Sequence, residues 1–554
     1  LRPVSLTARR REAALQHLAE AEIDVLVVGG GVVGAGAALD AASRGLSVAL
    51  VEACDWAAGT SSRSSKLIHG GLRYLEQLDF GLVREALRER ALLLTTLAPH
   101  LVRPLPFLYP LRRRVWERLY VGAGITLYDT MGGARALPRH RHLSRRAALE
   151  AAPALRPDAL VGAVRFYDAQ VDDARYTMMV ARTAAQYGAH VITRAMATGW
   201  LRDGERVAGA DVLDLESGRQ ITVRARRVIN ATGPRSEAAQ DLAGERRTFS
   251  LQTSKGVHLL VPRDRIRMES ALFTRTARSV LLVMPWGRHW IVGTTDTPWR
   301  DPAVEPTADE ADIDYLLEQA NAVLREPLTR DDVEGVYAGL RPLLSGAGDD
   351  TARLSREHLV TEPAPGLVVV TGGKFTTYRV MARDAVDVAA RGLPSVPPSD
   401  TARLPILGAT GYGALWEDRR RVAARCGLPL DHVERLLGRY GSCVEELLDL
   451  VAADRALGEP IPGAPAHLRV EAVYAASHEG ALHLDDILAR RTRIAIEERD
   501  GGLGAAPHVA ALVAPILGWN AADVAEEVER YAEFVGRERG DASPRAAGDA
   551  TATR

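Results

Sequence analysis

The chain has 554 residues, 47% of them hydrophobic and 25% charged, which fits a globular protein of about three to four domain-sized units, fewer where a large α/β fold absorbs the length. A net charge of -1 gives no bulk attraction to nucleic acid, and no apolar run reaches the roughly 18–20 residues of a spanning helix. Cys54, Cys426 and Cys443 form neither a disulfide framework nor a zinc or redox pair, and the basic N-terminus lacks the apolar core of a secretory signal, so a reducing cytoplasm is expected.

In chain order, residues 1–20 read as a polar helical arm. Ile23 to Val28 is a short run rich in β-branched residues, of the kind a buried parallel strand needs. It runs into Gly29-Gly30-Gly31-Val32-Val33-Gly34, which opens an alanine-rich helix to about Arg44. Leu46 to Val51 is a second strand and closes in Glu52, so the unit is βαβ. Ala225 to Asn230 predicts a strand ending in the small-residue turn Ala231-Thr232-Gly233. Val280 to Pro285 and His289 to Thr294 read as an antiparallel pair turning around Gly287, and Leu367 to Val370 as a strand breaking at Gly372-Gly373. Residues 21–395 are therefore expected to form one catalytic region. After the linker-like 394–400, apolar spacing of three and four predicts a helical domain over 396–540, and 541–554 reads as a disordered tail.

The glycine run follows a strand, opens a helix and is answered by Glu52 about 20 residues on, which is the context a dinucleotide site requires. Gly29 permits the turn, Gly31 lets the backbone approach a pyrophosphate, Gly34 lets helix and strand pack, and Glu52 is placed to accept from ribose hydroxyls. The turn alone does not choose between FAD and NAD.

The segment from Thr60 to Leu75 (TSSRSSKLIHGGLRYL) resembles the flavin-contacting segment of the FAD-dependent glycerol-3-phosphate dehydrogenases. VINATGP at 228–234, SKGVH at 254–258, GTTD at 293–296, GLRPL at 339–343 and GGKFTTYR at 372–379 follow that family in order and spacing, over about residues 22–395. The helical end follows more loosely, through LARRTRIAIE at 488–497. The resemblance implies a Rossmann-like FAD-binding domain, an interleaved antiparallel-sheet substrate domain and a C-terminal helical domain. It also implies FAD contact by Thr60, Ser61, Ser62, Ser65, Lys66, Leu67, His69, Gly70, Gly71, Ala231, Thr232, Gly233, Gly372, Gly373, Lys374, Phe375 and Thr376.

Only Lys66, Lys255 and Lys374 among 70 basic residues are lysine, and all three fall in these motifs, where a point-charge ammonium is expected near the ring. Oxidising a secondary alcohol that carries a phosphate calls for cations and a base. Arg73, Tyr74, Arg341, Lys374 and Arg379 lie in the motifs, Arg356 is a further candidate, and His258 sits beside an apolar strand where it can act as base. His258, Arg341 and Lys374 are the expected catalytic groups; His69, Tyr74 and Asp296 stay open as alternative bases.

The family implies oxidation of sn-glycerol 3-phosphate to dihydroxyacetone phosphate with a quinone as electron acceptor. A glycerol-3-phosphate oxidase that makes peroxide has the same site and stays open, whereas a non-catalytic flavoprotein is disfavoured by the clustered basic residues. Residues 101–146 are rich in arginine around VWERLYVGAGITLY. That stretch fits the surface of an anionic bilayer, and equally an insertion with a solvated basic face; the resemblance favours peripheral membrane contact. Pairing as a homodimer is open.

Overall fold

A computed structural model of the chain describes residues 3–75, 79–113, 115–132, 137–241, 249–276, 280–301, 304–344 and 357–540; Arg356 and the tail at 541–554 lie outside these described residues. Its first sheet is built on Ile23–Val28. Val48–Val51 and the C-terminal half of Gln220–Asn230 flank that strand in parallel, with Val27 opposite Leu50 and Ile229. Leu367–Gly372 extends the sheet in parallel on one side and His190–Ile192 on the other, and His358–Ala364 closes one edge antiparallel. The carboxyl ends of the parallel strands thereby bring Gly29, Glu52, Ala231 and Gly372 to one rim, which is where open α/β sheets bind ligands.

Both faces of this sheet are covered, as its apolar central strands require. Helices Val32–Ser43, Asp173–Gln186 and Tyr378–Ala390 bury one face with Ala35, Ala38, Met179, Met381 and Ala385. A meander of Ala195–Asp203, Arg206–Asp214 and the N-terminal half of Gln220–Asn230 covers the other face. The expected N-terminal arm is helix Ala8–Glu20, which adds Ala14, Leu15 and Leu18 to that second core.

The second sheet has ten strands, mostly antiparallel, with the long strand Leu251–Pro262 near one edge and Val102–Leu111 paired along its length with Gly162–Val171. Gly335–Leu344 and His289–Gly293 both pair antiparallel with Leu251–Pro262, so His258 lies opposite Tyr337 and Gly293. The expected hairpin is present as Val280–Trp286 and His289–Gly293. The segments of this sheet alternate in sequence with those of the first, which places its strands beside the cofactor rim.

From Tyr412 the chain is mainly helical, interrupted by the hairpin of Pro460–Ile461 and Ala464–Leu468. Its first helices share one continuous core with the first sheet, through Val433, Leu436, Tyr440 and Val444, whereas Ala472, Ile487, Val509 and Tyr531 form a core of their own. Buried ion pairs cross the boundary. Arg491 donates to both oxygens of Asp55 at 2.7 and 2.8 Å, Arg490 donates to the same carboxylate, and Arg175 meets Glu479. Such pairs contribute little net stability but specify how two surfaces dock, because breaking one strands a buried charge.

Candidate active site

One cavity of about 650 Å³ joins the rim of the first sheet to the second sheet. Gly29 enters it at φ +109°, where a side chain would be strained and would also press on the carbonyl of Ala231. A Cβ at Gly34 would overlap the carbonyl oxygen of Gly29, so the helix can pack this close to the strand end only with glycine there. Gly31 is the N-cap of helix Val32–Ser43, and no side chain caps it. The first turn of the helix and the positive end of its dipole therefore face the cavity, a setting suited to a pyrophosphate. Both oxygens of Glu52 accept backbone N–H bonds, from Gly30 at 2.5 Å and Cys54 at 2.8 Å. Burial pushes this carboxyl above the ordinary range, and its remaining lone pairs suit ribose hydroxyls.

The serine-rich loop connects this end to the other. Ser61 Oγ accepts from Val32 N at 3.0 Å, and Thr60 Oγ1 donates to the Leu340 carbonyl at 2.7 Å. A hydrogen bond of 2.8 Å joins Ser65 Oγ to His258 Nε2. The His258 ring stacks on Tyr337 at 4.8 Å, and its Nδ1 is buried without a hydrogen-bond partner among the described residues. Burial first, then the charges of Arg341 and Lys66, hold this imidazole well below its usual pKa, so its resting form is the unprotonated one.

Arg341 lines the cavity beside it, its guanidinium fixed by bonds to the Thr295 carbonyl at 3.1 Å and Thr294 Oγ1 at 2.8 Å. Lys374 follows Gly372 and Gly373 on the cavity wall and rests its ammonium 3.8 Å from the centre of the Tyr74 ring. Leu67, His69, Thr232, Gly233, Phe375 and Thr376 also line the space. Asp296 is engaged by Ser254 Oγ and lies 3.7 Å from Arg341, so this alternative base is already committed to hydrogen bonding within the wall.

Several of the expected residues do not line the cavity. Arg379 is turned into the protein, where Glu89 takes its fork in two bonds of 2.7 Å and Thr401 takes a third. Lys66 is wholly buried on Asp173 at 2.9 Å, and Lys255 reaches Asp309 and Asp312 at the start of helix Glu310–Asn321, so of the three lysines only Lys374 faces the cavity. Ser62, Gly70 and Gly71 do not line the cavity, and Gly70 N donates to the buried Tyr128 hydroxyl at 2.7 Å. Arg73 is in the same turn, Leu72–Leu75, as Tyr74. For Arg379, Lys66 and Lys255 motif spacing located the segment, and the direction of the side chain followed from partners distant in sequence.

Other lining residues were not anticipated. Ala195 to Ala197 close the side near Glu52, and Arg63 and Arg235 pair with Glu305 on the wall at 3.6 and 3.0 Å. Gly256 and Gly339 sit inside recognised motifs for a reason visible only in space. A Cβ on Gly256 would run into the guanidinium of Arg341, and one on Gly339 would press on Arg63.

A strand–glycine turn–helix rim, a loop of small polar residues and a neutral histidine beside fixed cations define an FAD-dependent oxidoreductase, and residues 24–387 match the FAD dependent oxidoreductase family. Residues 399–524 match the C-terminal domain of alpha-glycerophosphate oxidase. The chain is 56% identical over 528 residues to glycerol-3-phosphate dehydrogenase 2 of Mycobacterium tuberculosis, covering 95% of this chain and 90% of that one. It is 36% identical to the mitochondrial glycerol-3-phosphate dehydrogenase of Homo sapiens, over 97% of this chain and 76% of that one. The crystal structure of the Bacillus halodurans glycerol-3-phosphate dehydrogenase complexed with FAD superposes with a TM-score of 0.79 at 29% identity, covering 98% of this chain and all of that one. The chain belongs to the FAD-dependent glycerol-3-phosphate dehydrogenases.

Proposed function

We propose that the protein oxidises sn-glycerol 3-phosphate to dihydroxyacetone phosphate and passes the electrons to a quinone. The observation that carries this reading is the meeting, in one cavity with the glycine turn, of neutral His258 with Arg341 and Lys374. Bound FAD supplies the acceptor for the hydride leaving C2. His258 takes the C2 hydroxyl proton, and burial keeps it unprotonated for that task. Arg341, held by Thr294 and Thr295, offers the phosphate a preset fork, and Lys374 adds a point charge seated on Tyr74. Anaerobic mixing of the FAD-loaded protein with glycerol 3-phosphate bleaches the flavin absorbance on this reading; an unbleached flavin with every phosphorylated polyol would sink it.

Arg341→Ala is expected to raise KM for glycerol 3-phosphate by about 10- to 100-fold, the loss of one charge-assisted contact, with FAD affinity little changed. An unchanged KM removes Arg341 from the phosphate site.

Quinone delivery is supported by the surface of helix Trp116–Met131. Val121, Ile125 and Tyr128 are buried, whereas Val115, Trp116, Leu119 and Tyr120 are 70, 59, 69 and 47% exposed, with the exposed Arg112, Arg113, Arg139 and Arg141 on neighbouring segments. An apolar and aromatic face rimmed by arginine suits the interface of an anionic membrane, and no described helix is long and apolar enough to cross one. The protein is expected to float with anionic liposomes at low salt and to be released by Leu119→Glu; equal recovery with neutral liposomes, or none with either, argues against this contact. Stoichiometric peroxide during turnover, without quinone reduction, would instead favour transfer to oxygen.

A further inference from the structure

The active-site loop is held from behind by a residue of the C-terminal domain. Arg493 lies between the turn Asp486–Arg491 and helix Ile494–Glu497, and is 3% exposed. Its Nε donates to Asp172 Oδ1 at 3.0 Å, one Nη bonds Asp173 Oδ1, and the other donates to the Ser62 carbonyl at 3.3 Å. Asp173 in turn grips the loop. Its Oδ2 accepts from Ser64 N at 3.0 Å and Ser64 Oγ at 2.7 Å, and its Oδ1 accepts from Lys66 Nζ at 2.9 Å. Lys66 also donates to the Ser62 carbonyl at 3.0 Å, and its ammonium lies 4.7 Å from the centre of the Tyr337 ring, on which His258 stacks.

Two backbone features point the same way. Lys66 has φ +57° and Arg493 has φ +79°, both in the left-handed region that side chains avoid. Such conformations persist where the surroundings over-determine them, and they cluster at functional sites. Here the two residues share Asp173. Ser65, whose hydroxyl meets His258 Nε2, lies between Ser64 and Lys66, the two loop residues that Asp173 holds.

We propose that Arg493 is a positioning residue for the oxidation: through Asp173 it fixes the Ser62–Lys66 loop so that Ser65 orients His258. The inference rests on the reading of His258 as the proton acceptor. It gives the helical domain a part in the chemistry, because the guanidinium that completes the loop is supplied by that domain.

Arg493→Lys, which keeps the charge and loses the fork, tests this in the FAD-loaded protein. Displacing the imidazole without touching the phosphate cations is expected to lower kcat by about 100-fold while KM stays within a few-fold. The visible flavin spectrum and the affinity of the apoprotein for FAD, read by fluorescence quenching, shift with it because the loop lines the cofactor cavity. In Arg493→Ala, added guanidinium ion restores part of the lost kcat. A double-mutant cycle with Ser65→Ala gives effects that are less than additive, since both act through one contact. Arg194→Gln, which removes ion pairs to Asp485 and Asp486 at the same domain boundary, leaves kcat unchanged.

Wild-type kcat and spectrum in Arg493→Lys, additive effects in the cycle, or an equal loss of kcat in Arg194→Gln would each overturn the proposal. If Arg493→Ala does not fold, the lysine variant and the cycle carry the decision. Failure of glycerol 3-phosphate to bleach the wild-type flavin is a separate result, which removes the proposed reaction itself.

Discussion

Replacing His258 by Asn lowers kcat/KM for glycerol 3-phosphate by about 100- to 10,000-fold, the range over which general bases act, while the protein keeps its FAD. Asparagine fits the space that the imidazole occupies between Gly293 and Tyr337, so the fold survives and the proton acceptor is lost. The pH dependence supplies a second reading. The folded pKa of His258 is depressed, so the base is present at neutral pH and is lost only as pH falls through that depressed value. The acid limb of kcat/KM is therefore expected below the ordinary histidine range. Arg341→Ala removes one of the two charges that depress it and moves the limb toward higher pH. An acid limb at the ordinary histidine value, or wild-type turnover in His258→Asn, would transfer the role of base to another group.

Gly34→Ala is expected to yield protein almost devoid of flavin. Its methyl group would overlap the Gly29 carbonyl oxygen, which is backbone at the centre of the turn and has no side chain to give way. Helix Val32–Ser43 must then retreat from the strand end, taking its N-terminal N–H groups out of reach of the pyrophosphate. Overpacking of this kind costs about 1–3 kcal/mol in an average core and more where backbone is the obstacle. The flavin-to-protein absorbance ratio after purification measures the outcome. Gly124→Ala is the matched control, since a Cβ there meets nothing within 4 Å. Normal flavin content in Gly34→Ala would mean that the turn does not clamp the cofactor as described.

The dinucleotide rim was legible because its requirements are local: a strand, a turn that only glycine fits and a helix N-terminus are consecutive. His258, Arg341 and Lys374 were legible as members of short motifs. The expected residues that do not line the cavity share a different property. Arg379 is decided by Glu89, Lys66 by Asp173 and Lys255 by Asp309 and Asp312, and periodicity or spacing carries no information about partners so remote. Arg493 lies within the motif stretch 488–497, yet its partner lies 320 positions earlier, so its contact with the loop appears only in the folded chain. Gly256 and Gly339 show the same limit, since the arginines they make room for lie on other segments, Arg341 on strand Gly335–Leu344 and Arg63 in the serine-rich loop.

That separation has a consequence for how the protein is made. Asp172 and Asp173 leave the ribosome roughly 15–60 seconds before Arg493 at ordinary rates of synthesis, so Asp173 has Lys66 at hand from the start but its second cation arrives late. Asp55 waits longer still for Arg490 and Arg491. Until the last quarter of the chain arrives, the nascent flavin half therefore carries Asp55 destined for burial without the arginines that match it. A chain halted before residue 490 leaves Asp55 without Arg490 and Arg491, and is expected to be less resistant to protease than the full chain, whatever the quality of its glycine turn.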